Sequence, residues 1–559
     1  QGETLVFSFL GLATQEVKVG ASNTVSVKLA AGETQLKEVQ VLSVGYGKTT
    51  KEAYTGTATI VKKENIEAKT VSNISQALKG EVAGVNVITT SGQPGSDATI
   101  RIRGFGSVNG SRAPLYVVDG VPYVSDISAI NPADIENMTV LKDAAATSVY
   151  GSRGANGVIL ITTKTGKSGK SSVTVDFRTS VNSMFLPTYD VIQSPEEYIE
   201  LSWEAVKKRG ELLGEANPVN FANANLYGGG GINAHYNIWN VPGANLINPA
   251  TGKFNSGVTR RYTPEDWKDY AFRTGYRQEA NVQFSGASDK TNYSTSFGFV
   301  DDEGFGINSD YSRYSARVNV NHKPADWLNI GGNMSYAGSR YTKNGQSSDT
   351  GSIFLMANNS PKIYSIFLRD ANGDKVVDPY FGGYQYDYGL DPTPRRFSPL
   401  TNGIADATYD LNRDYVNTVT GNFSVDIRLA KGLKLETRYG AQYENGDLNS
   451  RANPFYGSGF STFGRLSKTA STTFNQNFLK LLRYNKVFGR NSIEAFAAHE
   501  TTEWEGKYFS ATKTNAILFN TLDLDQYTQA FGKASSYSQR YALESYFGQV
   551  NYNYNQKDF

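Results

Sequence analysis

From residue 171 onward, hydrophobic and polar positions alternate with a period of two. Val173, Val175, Phe177 and Thr179 interleave with Thr174, Asp176, Arg178 and Ser180. Ala280, Val282 and Phe284 interleave with Asn281, Gln283 and Ser285, and Tyr293, Thr295, Phe297 and Phe299 with Ser294, Ser296 and Gly298. The pattern returns at residues 314–321, 328–336, 422–429, 433–442 and 541–554. Such a period predicts strands with one apolar face and one wetted face. A soluble sandwich has the same period. Two details point to a membrane barrel instead. The polar faces carry full charges and many Asn, as a water-filled lumen requires. Many strands also end in aromatic residues, Trp327 among them, as interfacial girdles do.

Long polar inserts at 190–265 and 341–412 separate these strands. They are rich in Gly, Asn, Asp and Tyr, as the extracellular loops of such barrels are long and irregular. Residues 196–208 predict a surface helix within the first insert. Ahead of residue 169 the texture differs. Residues 57–168 mix short helices and strands in a Gly-rich α+β unit. There Ser72 is expected to cap a helix carrying Ile74, Ala77 and Leu78, with Gly80 just past its end. Strands are expected at 85–88, 99–103, 115–118, 121–124 and 158–163. Asp119 and Gly120 supply a tight hairpin turn. Residues 1–30 predict short strands, too few for a core of their own, and fit the end of a small β-sandwich. Residues 31–56 are a linker. Within it, residues 36–44 are β-prone, either as an ordinary strand of a neighbouring domain or as an extended peptide that adds to a partner's sheet.

Composition narrows the classes. The chain has 559 residues and a formal net charge of +2, so no strong field draws nucleic acid. With no Cys and three His, thiolate or imidazole metal clusters are not expected. Mean hydropathy is −0.42, and no run of about 20 apolar residues could cross a bilayer as a helix. Alternating barrel strands keep the average low in the same way. No signal peptide is visible and Gln1 is not an initiator, which reads as a processed or clipped N-terminus.

Enzyme-like fragments fail on inspection. Thr165, Gly166, Lys167 and Ser168 resemble the end of a phosphate loop, but Ile161 stands where its first Gly is required. Gly104 and Gly106 begin a dinucleotide fingerprint, but Asn109 replaces its third Gly, which leaves a tight turn. Asp370, Asn372, Asp374 and Asp378 offer oxygen ligands at alternate positions. They are a candidate loop-bound calcium site, although Lys375 stands where an EF-hand has Gly. Asp301, Asp302 and Glu303 read as exposed turn residues. No nucleophile, base and oxyanion donor occur at a recognisable spacing, so no catalytic residue, enzyme activity or other cofactor is expected.

Residues 36–164 resemble the plug region of the SusC/RagA family of TonB-dependent outer-membrane transporters. The resemblance is carried in order by Glu38-Val-Gln-Val41 with Val44-Gly-Tyr-Gly47, Gln76-Ala-Leu-Lys-Gly80, Val82-Ala-Gly-Val85, Ile102-Arg-Gly104 and residues 114–122, 135–145 and 150–163. Residues 541–554 are similar to a mid-barrel strand of the family. The resemblance implies a mainly β fold: a transmembrane antiparallel β-barrel with an N-terminal α+β plug domain in its lumen. It implies a TonB-binding segment over Glu38, Val39, Gln40, Val41, Leu42, Ser43 and Val44. It also implies a place in the outer membrane of a Gram-negative, Bacteroidetes-like bacterium, and active import of glycans or peptides beneath a SusD-like lipoprotein lid. Transporter–lid pairs would form dimers. Arg101, Arg103 and Arg153 are expected to pair with carboxylates of the inner wall or of the plug, with ordinary surface charge as the alternative. With Gly104, Asp119 and Gly120 they form the candidate gate.

Such transporters have about 22 strands, whereas about ten of roughly ten residues each can be named after residue 171. An open half-barrel would leave strand edges unpaired in lipid. The chain is therefore expected to be the N-terminal part of a longer protein, residues 169–559 being the first part of its barrel. A passive channel and a surface receptor or adhesin are the competing readings. Glycan and peptide cargo stay equal here, since Tyr-rich loops suit both.

Overall fold

In the computed structural model, the described residues are 4–7, 15–18, 27–28, 41–44, 46–50, 57–89, 91–104, 110–166, 169–185, 190–228, 231–345, 352–389, 395 and 401–554. Two hairpins precede the main body: β1 (Thr4–Phe7) with β2 (Gln15–Lys18), and β3 (Val41–Val44) with β4 (Gly47–Thr50).

The plug follows in the order β5 (Ala58–Lys62), α1 (Lys63–Glu67), α2 (Ile74–Ala77), β6 (Val85–Ile88), β7 (Thr99–Ile102), β8 (Leu115–Val118), β9 (Val121–Tyr123), β10 (Ile135–Leu141), α3 (Ala144–Thr147) and β11 (Val158–Thr163). Its five-stranded sheet runs β5-β10-β11-β8-β9, and only β8 and β11 pair in parallel. β11 is central, with neighbours on both edges and protein on both faces. Its uninterrupted run Val158 to Ile161 is accordingly buried throughout. Ile66, Ile74, Leu78, Ile135, Met138 and Ile159 close the plug core. One expectation is corrected. The cap of α2 is Asn73, whose side chain accepts from Ser75 N at 2.9 Å. Ser72 turns away to the surrounding wall.

That wall is one antiparallel sheet of eleven strands: β12 (Gly169–Asn182), β13 (Gly275–Ala287), β14 (Thr291–Glu303), β15 (Asp310–Ala325), β16 (Leu328–Lys343), β17 (Leu411–Ala430), β18 (Leu433–Ala452), β19 (Arg465–Phe488), β20 (Asn491–Ala516), β21 (Tyr527–Ala530) and β22 (Ser535–Tyr554). β21 and β22 both pair with β20. The sheet does not close on itself among the described residues. Side chains from β13 through β20 all reach the plug, so the sheet curves around it. The alternation resolves by face: Val173 and Phe177 are 63% and 68% exposed on the outside, whereas Arg277, Asn281 and Arg313 are buried against the plug.

The inserts between strands are folded. Ser194 caps α4 (Pro195–Leu213), Gly214 ends it in the left-handed region, and α5 (Pro218–Asn225) follows. Ile199, Trp203, Tyr236, Trp239 and Ile247 form a core with Ile363 and Tyr364 of the second insert. α6 (Trp267–Ala271), α7 (Ile353–Asn359) and α8 (Gly403–Tyr409) share another, with Trp267, Ile353, Met356 and Ile404 buried. The two long loops are thus packed on each other.

Candidate functional site

The wall strands are joined alternately by short turns and longer connections. Residues 288–290, 326–327, 431–432 and 489–490 lie at one end, and residues 183–274, 344–410 and 453–464 at the other. In outer-membrane barrels short turns face the periplasm and long loops the outside. The plug is bonded to the wall at many points, among them Gln442 and Glu444 of β18 on Pro122, Val124 and Asp126; three places involve the linker or buried charge.

The first is at the short-turn end. β3 pairs Val41, Leu42, Ser43 and Val44 with Thr50, Thr49, Lys48 and Gly47. Glu38, Val39 and Gln40 lie outside the described residues. At the turn, Tyr46 is 4% exposed, its ring against Tyr150, Phe547, Leu479, Leu481 and Ala498. Burial, reinforced by the Glu500 charge, pushes the Tyr46 phenol far above its ordinary range. It therefore stays protonated and donates to Glu500 Oε1 at 3.1 Å. The Tyr46 carbonyl accepts from Arg483 Nη2 at 2.5 Å, and Arg483 also binds Glu436 at 2.8 Å and Glu494 at 2.9 Å. Glu500 is shared: Arg153 Nη2 donates to it at 2.5 Å and Asn477 Nδ2 at 3.0 Å. Arg153 is aimed there by the segment 148–154, kinked at Gly151, where φ is 57°. One wall carboxylate thus holds both the linker and the plug.

The second is the β8–β9 tip. Asp119 and Gly120 both have positive φ, 51° and 84°, as the two-residue turn demands. The positive φ favours Gly at position 120, and a Cβ there would lie 2.4 Å from Arg438 Nη1, so that guanidinium would have to move aside. Asp119 takes four hydrogen bonds: from Thr163 N (2.9 Å), Thr163 Oγ1 (2.8 Å), Arg317 Nη2 of β15 (2.6 Å) and Asn333 Nδ2 of β16 (3.2 Å).

The third is on β13–β15. Arg277 donates to Ser72 Oγ at 2.6 Å and to Asp302 at 3.3 Å, and the Ser72 hydroxyl bonds Asp302 directly. Arg313 donates to the Ser128 carbonyl at 2.6 Å, and Ser296 to Asp134 at 2.5 Å. Asp302 is accordingly buried in β14, and its reading as an exposed turn residue is corrected. Its lumen-facing register, opposite Arg277, is the reason. Arg101 lies partly buried on β7, where it lines a hollow with Asp97, Arg112 and Glu444. Arg103 is exposed and, like Gly104, has positive φ; its backbone N–H donates to the Gly84 carbonyl at 3.0 Å. The plug–wall contact is therefore mostly ionic and hydrogen-bonded. Such groups can exchange protein partners for water as they part, which a dry apolar seal cannot do.

At the long-loop end, the candidate calcium ligands do not converge. Asp370 caps its own turn, accepting from Asn372 N and Asp374 N at 2.9 and 2.8 Å. Asp378 turns inward to Tyr409 Oη at 2.7 Å and Tyr456 Oη at 3.2 Å. No group of three His, Cys, Asp or Glu able to hold a metal occurs among the described residues. Burial raises the nearby Asp406 carboxyl to about 6; the Asp410 charge adds to this and the Tyr388 hydroxyl opposes it. Asp378 moves the other way, because backbone and hydroxyl donors outweigh its burial. The sign for Asp406 is fixed: the folded loop keeps a proton that the unfolded chain releases. Loop stability should fall as pH rises from 3.8 to about 6 and level off above. Limited proteolysis of residues 352–410 should be slower at about pH 5 than at about pH 7.5, and Asp406→Asn should reduce that difference.

The TonB-dependent receptor plug domain family matches residues 50–158. The TonB-dependent receptor SusC of Bacteroides thetaiotaomicron is 28% identical over 99% of this chain and 50% of its own. TonB-dependent receptor P26 of Formosa agariphila is 29% identical, again over 99% and 50%. The RagAB peptide importer in its closed-closed state superposes with a TM-score of 0.71 at 27% identity, covering 90% of this chain and 54% of that one. Over nearly its whole length the chain is similar to TonB-dependent transporters of the SusC/RagA family. It spans about half the length of the relatives it matches. As in its SusC/RagA relatives, the wall is an outer-membrane β-sheet, and no helix among the described residues is long and apolar enough to cross a membrane. Sequence reasoning missed Tyr46, Ser72, Arg277 and Glu500 among the residues that bond the linker and plug to the wall. A charge at a lumen-parity position was the available signal for Arg277. Tyr46 carried none beyond its place beside the linker strand.

Proposed function

We propose that the complete protein imports oligomeric nutrients across the outer membrane, driven by TonB pulling on the segment around residues 36–44. The observation that carries this is Tyr46. It sits two residues past that segment at the short-turn end, and through Glu500 it touches Arg153 of the plug. Tension on the linker therefore meets the wall first and the plug next. A SusD-like lipoprotein would cover the packed loops, and transporter–lid pairs would form dimers. Cargo is a glycan or a peptide; the likeness to the RagAB peptide importer supports the peptide. The reading needs no catalytic residue and no cofactor.

Deleting residues 36–44 in the full-length protein should abolish uptake of labelled oligopeptides and oligosaccharides while leaving their binding at the cell surface intact. Uptake that survives the deletion would mean a passive channel. If surface binding is seen but the undeleted protein shows no uptake, the protein is a receptor.

A further inference from the structure

The wall that surrounds the plug is not uniform. On β13–β14 the plug is tied by buried charge, through Arg277, Asp302 and the Ser296–Asp134 bond. On β19–β20 it is tied by Arg483 and Glu500. Between them, the short-turn halves of β15–β17 present Asn319, Asn321, Asn333 and Asn422, with Gly331 leaving room among them. A cavity of about 620 Å³ lies there, between these amides and the tip of the β8–β9 hairpin. The charged residues on its far flank, Lys434, Glu436, Arg438 and Arg483, are bound to one another. Asn422 is 6% exposed, and its Oδ1, like that of Asn321, is buried with no protein donor. Buried acceptors of this kind need water or a ligand.

The plug's topology selects the same side. β9 is the edge strand of the plug sheet, paired only with β8, and β8 joins the rest through its parallel pairing with β11. Toward the wall, β9 is held on the β18 side, where Gln442 donates to the Pro122 carbonyl at 2.7 Å and accepts from Val124 N at 2.9 Å. Displacing the hairpin cuts one ladder, of the weaker parallel kind, and leaves β5, β10 and β11 intact. Among the described residues, its one ion pair to β15–β17 is Asp119–Arg317.

We propose that this cavity is the transit site for cargo. The β8–β9 hairpin swings away from β15–β17, and an uncharged, hydrogen-bonding stretch of the oligomer passes along the asparagines. The plug stays tied to β13–β14 meanwhile. Side-chain amides both donate and accept, so they pair with peptide groups or sugar hydroxyls without gripping either by charge. This rests on the import reading above.

The test uses the full-length protein, free of other cysteines, in the outer membrane of cells that make TonB. A membrane-impermeant maleimide is added outside. Asn333→Cys should become labelled in energised cells and lose that labelling when the inner membrane is uncoupled, whereas Asn281→Cys on β13 should stay protected. A second protein adds Val121→Cys and Gly440→Cys to Asn333→Cys. A Cβ on Gly440 would lie 2.3 Å from Val121 Cγ1, close enough for a disulfide, whose Cβ atoms sit about 3.8 Å apart. This lock should abolish labelling at position 333, and a reductant should restore it, which also establishes that the variant folds. Equal labelling at 281 would overturn the proposal, since the whole plug would then leave. Labelling at 333 unchanged by the lock would overturn it as well. If neither position responds to energisation and uptake is also absent, the import reading itself is refuted.

Discussion

Glu500→Ala is expected to loosen the linker hairpin and the plug in one step. The substitution leaves the Arg153 guanidinium, the Tyr46 hydroxyl and the Asn477 amide without their common acceptor. Removing one partner of a buried ion pair costs about 3–5 kcal/mol. The Arg153 side chain is 23% exposed, so the lower end applies. The readout is protease cleavage of residues 41–50 and hydrogen exchange at residues 148–154 in the solubilised full-length protein. Both should accelerate. Tyr46→Phe removes a single hydrogen bond worth about 1 kcal/mol. It should expose the hairpin slightly and leave residues 148–154 protected. If Glu500→Ala changes neither region, the shared carboxylate holds nothing and the force path through Tyr46 is wrong.

Asp119→Ala is the second large effect. Arg317 is 8% exposed, and with Thr163 and Asn333 it loses the acceptor that seats the hairpin tip. Arg317 keeps only the Thr163 hydroxyl at 3.0 Å, and a buried guanidinium that loses its carboxylate costs about 3 kcal/mol. The hairpin should then leave its seat without TonB, and the full-length protein in a planar bilayer should conduct ions that the unmodified protein blocks. Asp119→Asn keeps an acceptor and tolerates the positive φ of 51°. Its conductance should lie between the two. A closed Asp119→Ala protein would show that the tip is held by other means.

Much of the fold could be read from the chain because a membrane wall obeys a strict rule: alternate residues face lipid. Strands such as those at 173–179 and 293–299 follow it and were legible. β19 and β20 were not, for a physical reason. Where they meet the plug, their lumen side mixes Leu479, Leu481 and Ala498 with Asn477, Arg483 and Glu500, while Lys480 and His499 occupy the opposite parity. The hydrophobic signal is then split between faces. Five plug strands, β6 to β9 and β11, were placed to within a residue, because Gly and Pro punctuate them, whereas β5 and β10 were not read as strands. The capping role given to Ser72 failed because a local rule cannot see Arg277 and Asp302, which arrive from more than 200 positions away. The acid run 301–303 failed likewise. Its pairing partner, not its local polarity, decides its burial. The packed loops were also hidden, since their cores draw single aromatics from two separate inserts.

Tyr46 and Arg153 draw on one acceptor, so the two attachments are thermodynamically linked. Whatever factor the removal of one imposes on the strength of the other, the reverse holds by the same factor. A disturbance reaching Arg153 from the cell exterior is therefore felt at the tether on the inner side, with a single side chain serving as the messenger in both directions.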